Sequence, residues 1–127
     1  MNTNKFEEIY SYAPKWRELV DIRTKELQDK DTKLSLDSIS IDIHNATWCP
    51  DCERETVELM ALLSINSTPV EINIYSYEDL QDYKEKKKNG ALPIKCLPTF
   101  IFKRDSKELT RIEEDSSNKL LDILKNL

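Results

Sequence analysis

Cys49 and Cys52 stand three residues apart in the run Trp48-Cys49-Pro50-Asp51-Cys52, and thiols at that spacing can exchange disulfides or hold a metal. The surroundings of the run favour the first. An alternating segment over residues 38–44 precedes it and reads as a strand, while residues 50–65 follow as a helix with a broad apolar face. The pair therefore sits at a strand-to-helix turn. With Cys49 at the N-cap, Pro50 takes the first helical position, where no N–H is required and its φ is already helical. Cys52 then comes one turn on, within bonding reach of Cys49. The free N–H groups and the positive end of the helix face the Cys49 sulfur and favour its thiolate, the species that attacks a disulfide. Cys49 is expected to be the nucleophile that forms a mixed disulfide with substrate, and Cys52 the thiol that resolves it. The carboxylate of Asp51 opposes a negative sulfur, so the couple is expected to be reducing, nearer about −270 mV than about −120 mV.

The elements that must position this turn can be read on either side of it. Residues 4–29 have helical spacing (Phe6, Ile9, Tyr10, Ala13, then Trp16, Leu19, Val20, Leu27), and Pro14 is expected to split them into a short helix and a longer one. Residues 30–36 form a polar connector. After the dithiol helix, Pro69 stops the turn and residues 70–75 alternate as a second strand. Ser76, with Asp79 three residues on, is expected to open a helix over 77–88, and Gly90 stands where a helix end wants a left-handed residue. Residues 99–103 and 108–113 form a hairpin across Arg104 to Lys107. A closing helix from Ser116 carries Leu120, Ile123, Leu124 and Leu127 on one stripe. A β-α-β unit followed by a hairpin and a helix predicts an α/β fold, a mixed sheet covered by helices on both faces.

Composition narrows the function classes. The 127 residues fit one domain, divided into an N-terminal helical segment (1–36) and a core (37–127). A net charge of −5 argues against nucleic acid as partner, which wants a basic face. The one basic run, Lys84 to Lys88, is expected to be a solvated helix face rather than a docking patch. No apolar run reaches the ~18 residues of a membrane span. The first eight residues lack the apolar core of a signal peptide, so the expected location is the cytoplasm. Three cysteines cannot all pair within one chain, and in a reducing compartment a Cys-x-x-Cys is redox-active or metal-binding rather than a staple.

Downstream, Leu97-Pro98-Thr99-Phe100 enters an apolar strand. Strand, Trp-Cys-x-x-Cys, helix, strand, helix, then Pro-Thr-Phe opening a hairpin resembles the thioredoxin family over residues 37–127. The Trp-Cys-Pro-Asp-Cys form is similar to thioredoxin-related and bacterial thioredoxin-like proteins, since thioredoxin proper has Gly-Pro between its cysteines. The resemblance implies a thioredoxin-like fold and reduction of protein or small-molecule disulfides, with an upstream reductase or a low-molecular-weight thiol as partner. It implies that Pro98 is cis, that the backbone of Leu97 contacts substrate, and that Trp48 shields the dithiol and offers an apolar landing surface. The family's buried aspartate, proton acceptor for the resolving thiol, falls at Ile43 here; Asp42 and His44 flank it on the opposite side of a regular strand, and either takes that role only if the intervening loop shifts the register. No strand precedes the first long helix, so four strands are expected where the family has five.

Competing uses of these residues were weighed. His44 with Cys49, Cys52 and Cys96 would make a Cys₃His zinc set, but two of the four are isolated, whereas structural zinc sites pair close-spaced couples. Cys96 is either a half-buried small residue or a thiol at the rim of the dithiol. A glutaredoxin would need a Gly-Gly turn that the single Gly90 cannot supply. A non-catalytic binding module of the same fold usually loses a cysteine, and both are kept. The expectation is an enzyme with no metal and no cofactor beyond the Cys49–Cys52 pair.

Overall fold

The computed structural model describes residues 5–66 and 70–127; Pro69 and the first four residues lie outside them. Two helices come first, α1 (Phe6–Tyr12) and α2 (Lys15–Leu27), with Pro14 as the N-cap of the second. There follow β1 (Ile39–Asn45), α3 (Pro50–Ser64), β2 (Glu71–Ser76), α4 (Leu80–Lys88), β3 (Thr99–Arg104), β4 (Lys107–Glu113) and α5 (Leu120–Lys125). The four strands form one mixed sheet in the order β2-β1-β3-β4. β1 runs parallel to β2 and antiparallel to β3, which pairs antiparallel with β4.

Alternation along the strands sorts the sheet into two unlike faces. Ile41 and Ile43 of β1, Ile72 of β2, Phe100 and Phe102 of β3 and Ile112 of β4 project into one continuous apolar core. That core also takes in Phe6, Ile9, Trp16 and Val20 of the N-terminal helices, Leu59, Met60 and Leu63 of α3, and Leu120 and Leu124 of α5. α2 packs along α3, where Arg23 Nε meets Glu58 at 2.6 Å. The other face carries Asp42 and His44 of β1, Asn73 and Tyr75 of β2, and Lys103 of β3. Helix α4 lies towards this second face, where Tyr83 meets Tyr77 and Tyr77 meets His44. The face is mixed: Ile101 of β3 is buried on it beside Asp42, while Tyr75 is 46% exposed.

Three element ends differ from the spacing-based expectation. α4 starts at Leu80, capped by Asp79 accepting from the Asp82 N–H at 3.1 Å, and not by Ser76. β2 continues through Ser76, and the Tyr77 N–H is held by the Asn45 carbonyl at 3.0 Å, which keeps the chain extended past the expected cap. α5 starts at Leu120 rather than near Ser116, because Ser117 and Asn118 sit at φ 55° and 63° and cannot continue a right-handed helix. The hairpin turns on two residues, Asp105 and Ser106 at φ 50° and 68°, the twist that suits a tight β-turn. Gly90, at φ 68°, follows the Asn89 C-cap as expected.

Candidate active site

β1, an interior strand, ends at Asn45, and the turn Ala46–Thr47–Trp48 leads directly into α3. Cys49 is the N-cap: it has extended backbone (φ −93°, ψ 119°), and its Sγ accepts the Cys52 N–H at 3.4 Å. Pro50 occupies the first helical position. The Cys52 Sγ accepts the Ala46 N–H at 3.5 Å. Both thiols are free. Their exposures differ in a way that separates their roles: Cys49 keeps 8% of its surface and Cys52 none. Burial, together with the neighbouring Cys49, pushes the Cys52 thiol far above the usual range.

The second strand that reaches this place is β3. The Leu97–Pro98 peptide bond is cis, and the Cys49 thiol donates to the Leu97 carbonyl at 3.8 Å. On the far side of the loop the Pro98 carbonyl accepts the Glu114 N–H at 2.7 Å. Cys49 is thus brought against Leu97 and the following Pro98 although 48 positions separate the thiol and the carbonyl in sequence.

Trp48, which adjoins Cys49 in the chain, is 38% exposed. Its indole Nε1–H donates to the Tyr77 carbonyl at 2.8 Å, and its ring lies 5.7 Å from that of Tyr83. Tyr83 in turn meets Tyr77 edge-on at 5.8 Å. The turn before Trp48 is gripped by Glu78, whose carboxylate accepts the Thr47 N–H at 3.0 Å and the Thr47 hydroxyl. Sequence spacing did not single out Tyr77, Glu78 or Tyr83. One signal for Tyr83 was present: it is the one aromatic residue in α4, where six of the nine residues are charged.

Asp42 and His44 are engaged elsewhere. Lys103 Nζ pairs with Asp42 at 2.7 Å, and Asn73 Nδ2 donates to the same carboxylate at 3.1 Å. His44 stacks on Tyr75 at 4.5 Å and shares a 2.8 Å hydrogen bond between its Nδ1 and the Tyr77 hydroxyl. Ile43 points into the core on the face opposite to both. Among the described residues, the hydrogen bond on the Cys52 sulfur comes from a backbone amide, and no carboxylate joins it. What lies beneath the dithiol is a polar pair: the Thr56 hydroxyl donates to Asn45 Oδ1 at 2.7 Å. Asp51 is bound by Arg54 Nη1 at 2.9 Å, which offsets its charge beside Cys49.

The four zinc candidates do not assemble; among the described residues no group of three or more His, Cys, Asp or Glu side chains is placed to hold a metal ion. Cys96 is half-buried at the rim, its carbonyl accepting from the Thr99 hydroxyl at 2.7 Å. Burial raises its thiol, Glu113 and Glu114 add to that, and Lys87 opposes it.

Burial also lowers the imidazole of His44 below its ordinary value near 6.5, against the pull of Asp42 and with help from Arg111 and Lys103. The unfolded chain then binds a proton that the folded one refuses, so this group's contribution to stability is present above the ordinary value and is lost as pH falls through it. Urea midpoints measured from about pH 7.5 to about pH 5.5 are expected to fall, and His44→Phe should flatten that part of the slope. A variant with an unchanged slope would show that another group carries it.

No family model matches the chain, and no curated protein matches it. Solved structures do. Thioredoxin-2, described as a component of the malaria parasite protein secretion machinery, is 22% identical over 71% of this chain and 84% of its own, with a TM-score of 0.50. Trxlp from Edwardsiella tarda is 22% identical over 69% of this chain and 82% of its own, with a TM-score of 0.47. Fasciola hepatica thioredoxin is 21% identical over 80% and 88%, with a TM-score of 0.45. At 22% identity and a TM-score of 0.50, the likeness to thioredoxin-2 supports the thioredoxin fold alone, which the mixed four-stranded sheet and its helices share. Among the described residues no helix is long and apolar enough to cross a membrane.

Proposed function

We propose that this thioredoxin-fold chain is a thiol–disulfide oxidoreductase that reduces disulfides of proteins or small molecules through Cys49 and Cys52. The observation that carries the proposal is the position of the Cys49 sulfur: at the N-cap of α3, bonded by the Cys52 amide, and against the Leu97 carbonyl before a cis proline. A thiolate formed there meets a backbone donor and the positive end of a fifteen-residue helix.

The Cys49 thiolate attacks one sulfur of a substrate disulfide, forming the Cys49–substrate bond and releasing the other sulfur as a thiolate. Cys52 then loses its proton and attacks Cys49, closing the Cys49–Cys52 bond and releasing the second substrate thiol. Two electrons have passed to the substrate, and an external dithiol, protein or low-molecular-weight, returns two to the pair. The reaction requires no further cofactor. Leu97 and Pro98 present bare backbone to the incoming chain, and Trp48 gives it an apolar surface. Asp51 and Pro50 shape the helix start. The reducing environment of the cytoplasm fits this direction of flow.

With dithiothreitol as reductant, the protein is expected to accelerate insulin disulfide reduction or reduction of a small disulfide such as cystine. Cys49→Ser should bring the rate to background, while Cys96→Ser should keep most of it. The couple is expected to lie nearer about −270 mV than about −120 mV, and a value above about −180 mV contradicts the direction proposed. Inertness towards both substrates rules the enzyme out.

A further inference from the structure

Five lysines stand on α4 and the loop after it, the segment that contributes Tyr83 beside Trp48: Lys84, Lys86, Lys87, Lys88 and Lys95. All five are exposed. Over residues 84–95 the only acidic side chain is Glu85, on a chain whose net charge is −5. Only Lys86 has an ion-pair partner among the described residues, Asp82 at 3.1 Å. The cluster is therefore a local reversal of the protein's overall charge, and four of its five positive groups have no ion-pair partner among the described residues, which makes it more than the solvated face expected from the sequence.

Its position is fixed by the aromatic shelf. The Lys87 ammonium lies 5.9 Å from the Tyr83 ring centroid, and the Tyr83 ring lies 5.7 Å from that of Trp48, the residue adjoining Cys49. Tyr83 and Lys87 stand four residues apart on α4 and so share a face. Lys95 adjoins Cys96, one residue from Leu97. Glu113 and Glu114 face Cys96 from the β4 end. The rim thus has positive groups on α4 and carboxylates at the β4 end, with Cys96 acted on by Lys87 from the one and by Glu113 and Glu114 from the other.

We propose that the dithiol acts preferentially on disulfides carried by acidic polypeptide segments, whose carboxylates are received by Lys87 and its neighbours while their apolar parts lie on Trp48 and Tyr83. This rests on the oxidoreductase reading above and names the substrate class for it. A polypeptide crossing the rim is steered in one direction, with its acidic flank over α4 and away from Glu113 and Glu114. Complementary charge of this kind acts mainly on encounter, so it raises kcat/KM and weakens with salt.

The test uses three peptides, each with one cysteine held in a disulfide to an uncharged small thiol and flanked by Asp/Glu, Ser/Thr or Lys/Arg. Their reduction is followed with dithiothreitol as electron donor. The expected order of kcat/KM is acidic, neutral, basic, with about tenfold between the extremes at low ionic strength and convergence in about 1 M salt, where the screening length is about 3 Å. Lys87→Glu combined with Lys88→Glu should erase or invert the acidic-to-neutral ratio. Lys107→Glu, at the hairpin by the opposite end of the sheet, makes a smaller net charge change of the same sign and should leave that ratio unchanged. Equal rates for the three peptides overturn the proposal and leave the enzyme standing. A ratio that Lys107→Glu shifts as much per charge as the α4 pair does also overturns it, since net charge then explains the preference. Failure to reduce any of the three removes both this proposal and the enzyme assignment.

Discussion

Replacing Cys52 by serine is expected to stop the reaction halfway and leave substrate covalently attached to Cys49. Cys52 has no exposed surface, and burial holds its thiol well above the ordinary range, so it cannot be the group that meets substrate first. Cys49 keeps some exposed surface, and its thiol lies against the Leu97 carbonyl. Serine fits the space and can still accept from the Ala46 amide, so the fold should survive the change. Turnover should drop to background, and mass spectrometry of protein mixed with a disulfide peptide should show one adduct at Cys49. In the wild type, decay of the mixed disulfide should quicken as pH rises from about 7 to about 9, because the thiolate fraction of a high-titrating group grows with each unit. In Cys52→Ser, an adduct on Cys96 in place of Cys49, or full turnover, reverses the assignment of roles.

The second large effect concerns stability. Phe100→Ala is expected to cost about 3–5 kcal/mol, a substantial part of the 5–15 kcal/mol typical of a domain, and to lower Tm by about 10–20 °C. Phe100 is fully buried, lies between Ile43 and Ile112 on neighbouring strands, and follows Pro98 by two residues. Its removal leaves a cavity directly below the loop that presents Leu97. Tyr75→Ala, on the polar face of β2 and nearly half exposed, is expected to cost less than about 1.5 kcal/mol, chiefly the stacking on His44. Denaturant unfolding of the two variants compares them directly. Equal costs would mean that the apolar core is not confined to the Phe100 side of the sheet.

What the sequence disclosed was mostly what is local in the chain. Cys49, Pro50 and Cys52 declare a capped helix start within four residues, because the N-cap, the proline and the one-turn spacing depend on each other alone. Gly90 declared a helix end for the same reason. Alternation placed all four strands within one residue of their observed limits. The misread starts of α4 and α5 were decided from a distance. The Asn45 carbonyl holds Tyr77 extended, and the Ser116 hydroxyl donates to the buried Glu55 of α3 at 2.6 Å, so neither stretch is free to follow its own helical pattern. Asp42 posed a harder question. Being next to Ile43 in sequence put it on the opposite side of the sheet, and only the pairing with β2 and β3 shows that Asn73 and Lys103 are the groups it meets. The aromatic shelf was hidden likewise, because Trp48, Tyr77 and Tyr83 come from three separate segments.

Strand order has a bearing on durability. β1 and β3 are each bonded on both flanks, whereas β2 and β4 form the margins of the sheet. Margins fray first, because half of their amides and carbonyls have only solvent to lose. The two segments that carry sulfur and proline to the same place, Ala46–Cys49 and Leu97–Pro98, are the immediate extensions of the interior pair. The chemistry therefore hangs from the last part of the molecule to let go, and partial loosening at the periphery leaves the sulfur, its amide donor and the proline turn in register.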